Sequence, residues 1–125
     1  MARILLAEDE APLRSFVTRA LNQDGHDVVA VSNGAEALDA LTRAKAKFDL
    51  LLTDIRMPLM DGIALALAAA RDDPDVIILL MTAFADQRER AHGLDALIHD
   101  VLTKPFTLGD IKLAVNEALA SKQRR

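Results

Sequence analysis

With 125 residues, the chain has the length of one domain built around one layered core. Its apolar fraction is 51% but its aromatic fraction only 3%, all of it Phe, so Leu, Ile, Val and Ala must build the interior. A formal charge of −4 and a pI near 5.3 argue against a binder of nucleic-acid backbones, which draws its affinity from clustered Lys and Arg. The absence of cysteine excludes disulfides, thiolate metal sites and thiol catalysis, and fits a cytoplasmic setting.

Apolar runs and helical patterns alternate along the chain. The runs are Ile4-Leu5-Leu6-Ala7, Val28-Val29-Ala30-Val31, Leu50-Leu51-Leu52, Val76-Ile77-Ile78-Leu79-Leu80 and a weaker one around Ile98, Val101 and Leu102. Continuous apolar runs, rather than strict alternation, predict strands covered on both faces.

Between them lie five helical stretches. In the first, Leu13, Phe16, Val17, Ala20 and Leu21 share a face and Gly25 follows as a stop. The second carries Leu38 and Leu41 behind Ser32 as its expected cap; Asn33-Gly34 hints at a hairpin, but the alanine-rich pattern after it decides for a helix. The third runs from near Ile63 to Asp72-Asp73-Pro74. The fourth, roughly Asp86 to His92, is short, polar and weakly amphipathic, with Asp86 and Glu89 read as a cap-like pair. In the fifth, Thr107 caps a stripe of Leu108, Ile111, Val115 and Leu119.

Five β-α units predict a single α/β domain with a core over about residues 2–120: a flavodoxin-like, doubly wound, five-stranded parallel sheet in the order 2-1-3-4-5. No apolar run approaches the roughly 20 residues of a membrane span. Arg3 is soon followed by Glu8-Asp9-Glu10, which is no signal peptide, and no output domain is expected. The basic end, Lys122, Arg124 and Arg125, reads as a solvated helix terminus.

In open α/β sheets, sites form beyond the carboxyl ends of the strands. Glu8-Asp9 follows the first strand here, Thr53-Asp54 the third, Thr82 the fourth and Thr103-Lys104-Pro105 the fifth. In the expected order these residues converge. At about 5 Å and an effective dielectric of about 20, each carboxylate pair repels by roughly 3 kcal/mol. Three such pairs are too much for a domain stable by about 5–15 kcal/mol. Protonation, Lys104 or a divalent cation must relieve them. An oxygen-rich pocket with few protein ligands suits Mg²⁺, with Mn²⁺ as a substitute. A carboxylate beside such a cation and a lysine is equipped to attack phosphorus, and Thr82 can hydrogen-bond the new phosphoryl oxygen.

At these residues the chain resembles the receiver domain of two-component response regulators. The resemblance is carried by Glu8-Asp9, by Asp54 followed by Met57-Pro58 and Asp61-Gly62, by Thr82-Ala83 and by Lys104-Pro105-Phe106. It implies that Asp54 is the phosphoacceptor, that Glu8, Asp9, Asp54 and the backbone carbonyl of Arg56 hold Mg²⁺, and that Thr82 and Lys104 grip the phosphoryl group. It further implies a cis Lys104-Pro105 bond. A histidine kinase or histidine phosphotransferase is the implied donor, and a downstream protein the implied target, docking on the fourth helix, fifth strand and fifth helix of a monomer or weak homodimer. Val101 stands where the family often has a switching aromatic, so the signal is expected to run mainly through the loop after Thr82, with Phe84 taking over part of the packing change. AEDE, LLTDIRMPLMDG, TAFA and LTKPF are similar to the CpdR-like stand-alone receivers, which implies regulated proteolysis or cell-cycle control as the setting.

Other readings are weaker. A phosphate-relay intermediate without an output of its own uses the same site. A small aspartate-nucleophile phosphatase wants a second acid two residues after the nucleophile, where Arg56 stands, so an enzyme turning over external substrates is not expected. A flavin carrier needs a hydroxyl- and glycine-rich phosphate loop after the first strand, where Glu8-Asp9-Glu10 repels phosphate. His26, His92 and His99 share no ligand spacing and read as solvated or loop residues, none placed as a phosphodonor. Asp61-Gly62 reads as a turn that starts a helix, and Met57, Met60 and Met81 as core or loop filler.

Overall fold

Apolar residues in the strands face alternate sides of the sheet, and that alternation builds two cores from one sheet. A computed structural model describes residues 2–44 and 47–123; Arg124 and Arg125, and the side chain of Lys122, lie outside the described residues. The elements are β1 (Arg3–Ala7), α1 (Ala11–Gln23), β2 (Asp27–Val31), α2 (Gly34–Arg43), β3 (Leu50–Asp54), α3 (Gly62–Asp72), β4 (Ile77–Thr82), α4 (Ala85–His92), β5 (Asp100–Thr103) and α5 (Leu108–Gln123). All strands are parallel, in the order β2-β1-β3-β4-β5. This is the flavodoxin-like arrangement expected from the sequence.

Ile4, Leu6, Leu50, Leu52, Leu79 and Met81 pack with Val17, Ala20 and Leu21 of α1 and Ile111, Val115 and Ala118 of α5. Their neighbours Leu5, Leu51, Ile78 and Leu80 pack on the other face, against Ala37 of α2, Leu65, Ala66 and Ala69 of α3 and Ala91 of α4. Each fully buried Leu or Ile contributes about 1.5–3 kcal/mol, so central β3, buried along its whole length, anchors both layers. Coverage on both faces fails at the edges. Val29 and Ala30 of β2 are exposed, as are Asp100 and Thr103 of β5, the two strands that have a neighbour in the sheet on one side only. Phe16 and Leu108 are also 40% and 39% exposed, rather than lying on buried stripes.

The helix ends follow local chemistry. After α1, Gly25 has φ 88°, while its N–H donates to Asn22 O and that of His26 to Leu21 O, a Schellman stop that suits glycine. The cap of α2 is Asn33, whose Oδ1 accepts from the Glu36 N–H at 2.8 Å, and not Ser32. Ser32 instead donates its hydroxyl and its N–H to the Glu36 carboxylate. Asp61 caps α3 through the Ala64 N–H, and Thr107 caps α5 in a reciprocal pair with Asp110. At α4 the cap-like role expected of Asp86 and Glu89 is absent: Phe84 occupies the N-cap position without a side-chain cap. Among the described residues of α4, only Ala91 is buried, so little apolar area holds this helix down.

Two glycines are required by close approach. A Cβ at Gly62 would overlap the carbonyl oxygen of Asp54, and one at Gly34 would overlap that of Met60. Gly93 has open space around its Cβ direction and an αR backbone. Gly62→Ala is therefore expected to destabilise by more than about 2 kcal/mol. Gly93→Ala should be neutral or stabilising by roughly 0.5 kcal/mol. Urea titration of both variants checks the contrast, which equal midpoints would refute.

Candidate functional site

The strand register brings the acidic tips together. Ala7 pairs with Thr53, so Glu8 emerges from β1 beside Asp54 of β3. Thr82 pairs with Thr103, which places Lys104 next in line, its N–H donating to Thr82 O at 2.9 Å. Carboxylate oxygens of Glu8, Asp9 and Asp54 lie within 4.8 Å of one another. Glu8 and Asp54 are buried and Asp9 is exposed.

Lys104 Nζ donates to Glu8 Oε1 at 2.8 Å and to Asp54 Oδ2 at 2.9 Å. The second Glu8 oxygen accepts from the Glu10 N–H at 3.1 Å, while Arg14 Nη1 donates to the Glu8 backbone carbonyl at 2.8 Å and so steadies the turn. Arg56 stands two residues beyond Asp54, on the loop that leaves β3. Just beyond, Leu59 holds φ 71° and is 83% exposed; a left-handed leucine costs about 1–2 kcal/mol, so strain is concentrated in the loop that follows Asp54.

Of the three ways to relieve carboxylate repulsion, two are visible. Burial drives the Glu8 carboxyl up to about 7 against the contacts with Lys104 and the Glu10 N–H, with the charge of Asp54 adding to the rise. Burial likewise raises Asp54, offset in part by Lys104. For Lys104, burial alone would depress the ammonium, but its two carboxylate partners outweigh that and raise it. The donor set also fits the third relief. Hard oxygens from two buried carboxylates, already gathered on one ammonium, and from one exposed carboxylate beside them suit a divalent cation such as Mg²⁺.

Thr82 sits differently. Its parity along β4 is that of Ile78 and Leu80, whereas Glu8, Asp54 and Lys104 continue the parity of the opposite layer. Its buried hydroxyl accepts from the Phe84 N–H at 3.1 Å, on the β4–α4 loop. Sequence reasoning also missed contacts that the signal of an isolated Arg could not disclose. Arg90 Nη2 meets Asp61 Oδ2 at 3.1 Å, and Arg88 Nη1 reaches Thr103 Oγ1 at 2.7 Å and Val101 O at 3.1 Å. Asp61 is pushed up by burial, but the Ala64 N–H and Arg90 hold it below the usual carboxylate range. The Arg56 guanidinium stacks on the Phe84 ring, 4.7 Å from its centroid. Lys104-Pro105 is cis, as expected. Among the described residues no histidine joins a metal-ligating cluster, and His26 lies in a loop where Nδ1 accepts the Ala2 N–H at 3.3 Å.

Residues 4–116 match the model of the response regulator receiver domain, and the chain belongs to that family. The response regulator receiver protein CpdR of Brucella abortus is 44% identical over 117 residues, covering 94% of this chain and 93% of that protein. The transcriptional regulatory protein PrrA of Mycobacterium tuberculosis is 32% identical over 94% of this chain, which spans 49% of its length. Among solved structures, a receiver domain from Clostridium thermocellum superposes with a TM-score of 0.88 at 25% identity, covering 98% of both chains. TrrA of Thermotoga maritima, solved in complex with Mg(2+)-BeF, gives 0.82 at 27% identity, covering 94% of this chain and 99% of that one.

A carboxyl raised in the folded state favours folding below its unfolded value near 4.5 and loses that contribution as pH rises through about 7. In chelator, the thermal midpoint of the native chain should therefore fall between about pH 5 and pH 8 more steeply than that of Glu8→Gln. Parallel pH profiles in a thermal-melt series would refute this.

Proposed function

We propose that this chain is a phosphorylation-controlled switch in a two-component or phosphorelay system. In this reading Asp54 accepts a phosphoryl group from the phosphohistidine of a histidine kinase or phosphotransferase, and the phosphorylated chain alters its contacts with a downstream protein. The observation that carries the proposal is a buried aspartate at the tip of the central strand, sharing one ammonium with Glu8 and lying within 4.8 Å of the Glu8 and Asp9 carboxylates. Membership of the receiver family and the likeness to CpdR support it.

Chemically, an Asp54 carboxylate oxygen forms the new O–P bond while the bond from phosphorus to the donor nitrogen breaks, that nitrogen keeping the electron pair. Glu8, Asp9, Asp54 and the Arg56 carbonyl would hold Mg²⁺, which would supply charge neutralisation for the transferred group; the Mg(2+)-BeF complex of TrrA supports this assignment. Lys104 hydrogen-bonds the phosphoryl oxygens, leaving its resting partners. Thr82 completes the grip by turning its O–H, which now points weakly to the Phe84 carbonyl at 3.5 Å, to a phosphoryl oxygen. Arg56 in place of a second acid argues against a phosphatase acting on external substrates, so the chain assists only its own phosphorylation and dephosphorylation. Among the described residues no helix is long and apolar enough to cross a membrane, which supports a cytoplasmic setting. Action as a monomer or weak homodimer, with the target on α4, β5 and α5, completes the proposal.

Incubation with acetyl phosphate or phosphoramidate and Mg²⁺ should add one phosphoryl group to the native chain by intact mass and none to Asp54→Asn. Equal uptake by the two would remove Asp54 from the role. Because Glu8 holds its proton up to about 7, Mg²⁺ affinity should rise as pH increases through that value, with proton release on binding. Calorimetry in buffers of different ionisation enthalpy reads both, and a pH-independent affinity would contradict the ligand assignment.

A further inference from the structure

One residue of α1 clamps the acidic turn after β1 at two points. Arg14 donates its backbone N–H to the Glu10 carbonyl at 2.9 Å and its Nη1 to the Glu8 carbonyl at 2.8 Å. Glu10, at the N-cap position of α1, has no side-chain cap of its own. The Glu8 carbonyl lies past Ala7, the last paired position of β1, and is part-buried. Without the guanidinium it would face the cost of an unpaired buried carbonyl.

Between the clamped points stands Asp9. Glu8 and Asp54 are fixed through their side chains by Lys104. Asp9 has no such anchor: among the described residues its carboxylate takes no hydrogen bond and no ion pair, although it lies within 4.8 Å of the other two. Its direction therefore comes from the main chain. The peptide before it is held by the Arg14 guanidinium, and the peptide after it by Glu8, whose Oε2 accepts the Glu10 N–H at 3.1 Å.

Two effects of Arg14 on a cation at these carboxylates oppose each other. Its positive charge alone weakens the binding of Mg²⁺, but solvent and salt screen charges near the surface over about 8–10 Å. Its hold on the Glu8 carbonyl strengthens binding by fixing a ligand in advance, and partners that orient metal ligands are worth about 10–100-fold in affinity. Orientation outweighs charge. We propose that Arg14 is a positioning residue for Mg²⁺: through the Glu8 carbonyl it turns the Glu8–Asp9 peptide so that the Asp9 carboxylate faces those of Glu8 and Asp54. This deepens the reading in which the three carboxylates hold the cation, and rests on it.

The test is calorimetry of the full chain with Mg²⁺ alone. Arg14→Met keeps the aliphatic stem and removes both donor and charge; its Mg²⁺ affinity should fall about tenfold. Arg14→Lys, which keeps the charge and a donor, should lie between Arg14→Met and the native chain. Loss of charge by itself has the opposite sign, so an Arg14→Met chain that binds Mg²⁺ as tightly as the native one, or more tightly, overturns the proposal. Should urea titration show that Arg14→Met does not fold, Arg14→Gln, also neutral, is read by the same criterion. In acetyl phosphate labelling, the deficit of the variant should shrink as Mg²⁺ is raised. A deficit of the same size at limiting and saturating Mg²⁺ marks general damage to the fold and overturns the positioning role. A native chain that binds no Mg²⁺ overturns the ligand assignment instead.

Discussion

Two buried carboxylates from different strands, Glu8 and Asp54, share one ammonium from a third, with Lys104 Nζ 2.8 Å and 2.9 Å from their oxygens. Removing the Lys104 ammonium would leave two buried carboxylates facing each other without compensation, a loss of about 3–5 kcal/mol for a broken buried pair. The triad also joins residues 50 and 96 positions apart in sequence. It can form only where β1 lies beside β3, and where β4 carries β5 close enough for Lys104 to reach back. The strand order and the site are therefore one constraint seen from two sides.

Strand parity divides the site's labour. Glu8, Asp54 and Lys104 continue the layer that faces α1 and α5, the firmly seated side of the sheet. Thr82 continues the layer that faces α3 and α4, and its hydroxyl is spent on the β4–α4 loop. Charge is thus held on the rigid face, while the group best placed to report a change lies on the face whose last helix is attached by arginines to Asp61 and β5 rather than by apolar burial. Such polar, exposed attachments are individually worth little and are screened by salt.

Much of this was legible in the residues. The five apolar runs became the five strands, and carboxylates at strand ends, where turn residues would have served, pointed to one crevice. Adjacent candidates defeated the finer reading: Ser32 and Asn33 are both good caps, and only the backbone turn decides that Asn33 takes the Glu36 N–H while Ser32 binds its carboxylate. The exposure of Val29 and Phe16 was hidden because run length does not tell an edge from a centre, nor a helix's rim from its buried stripe. The Arg56–Phe84 stack and the Arg90–Asp61 pair depend on where two loops arrive in space, and no spacing in the chain encodes that.

The two crowded glycines bear on the direction in which movement can travel. The segment from Asp54 to Gly62 is wedged between its own helix start, where Gly62 abuts the Asp54 carbonyl, and α2, where Gly34 abuts the Met60 carbonyl. Main chain lies against main chain at both places, with no side chain to change rotamer and absorb a shift. These contacts act as the fixed jaw of a vice. A displacement born at Asp54 would find no slack toward α2 and would be shed toward α4, which few buried apolar side chains hold.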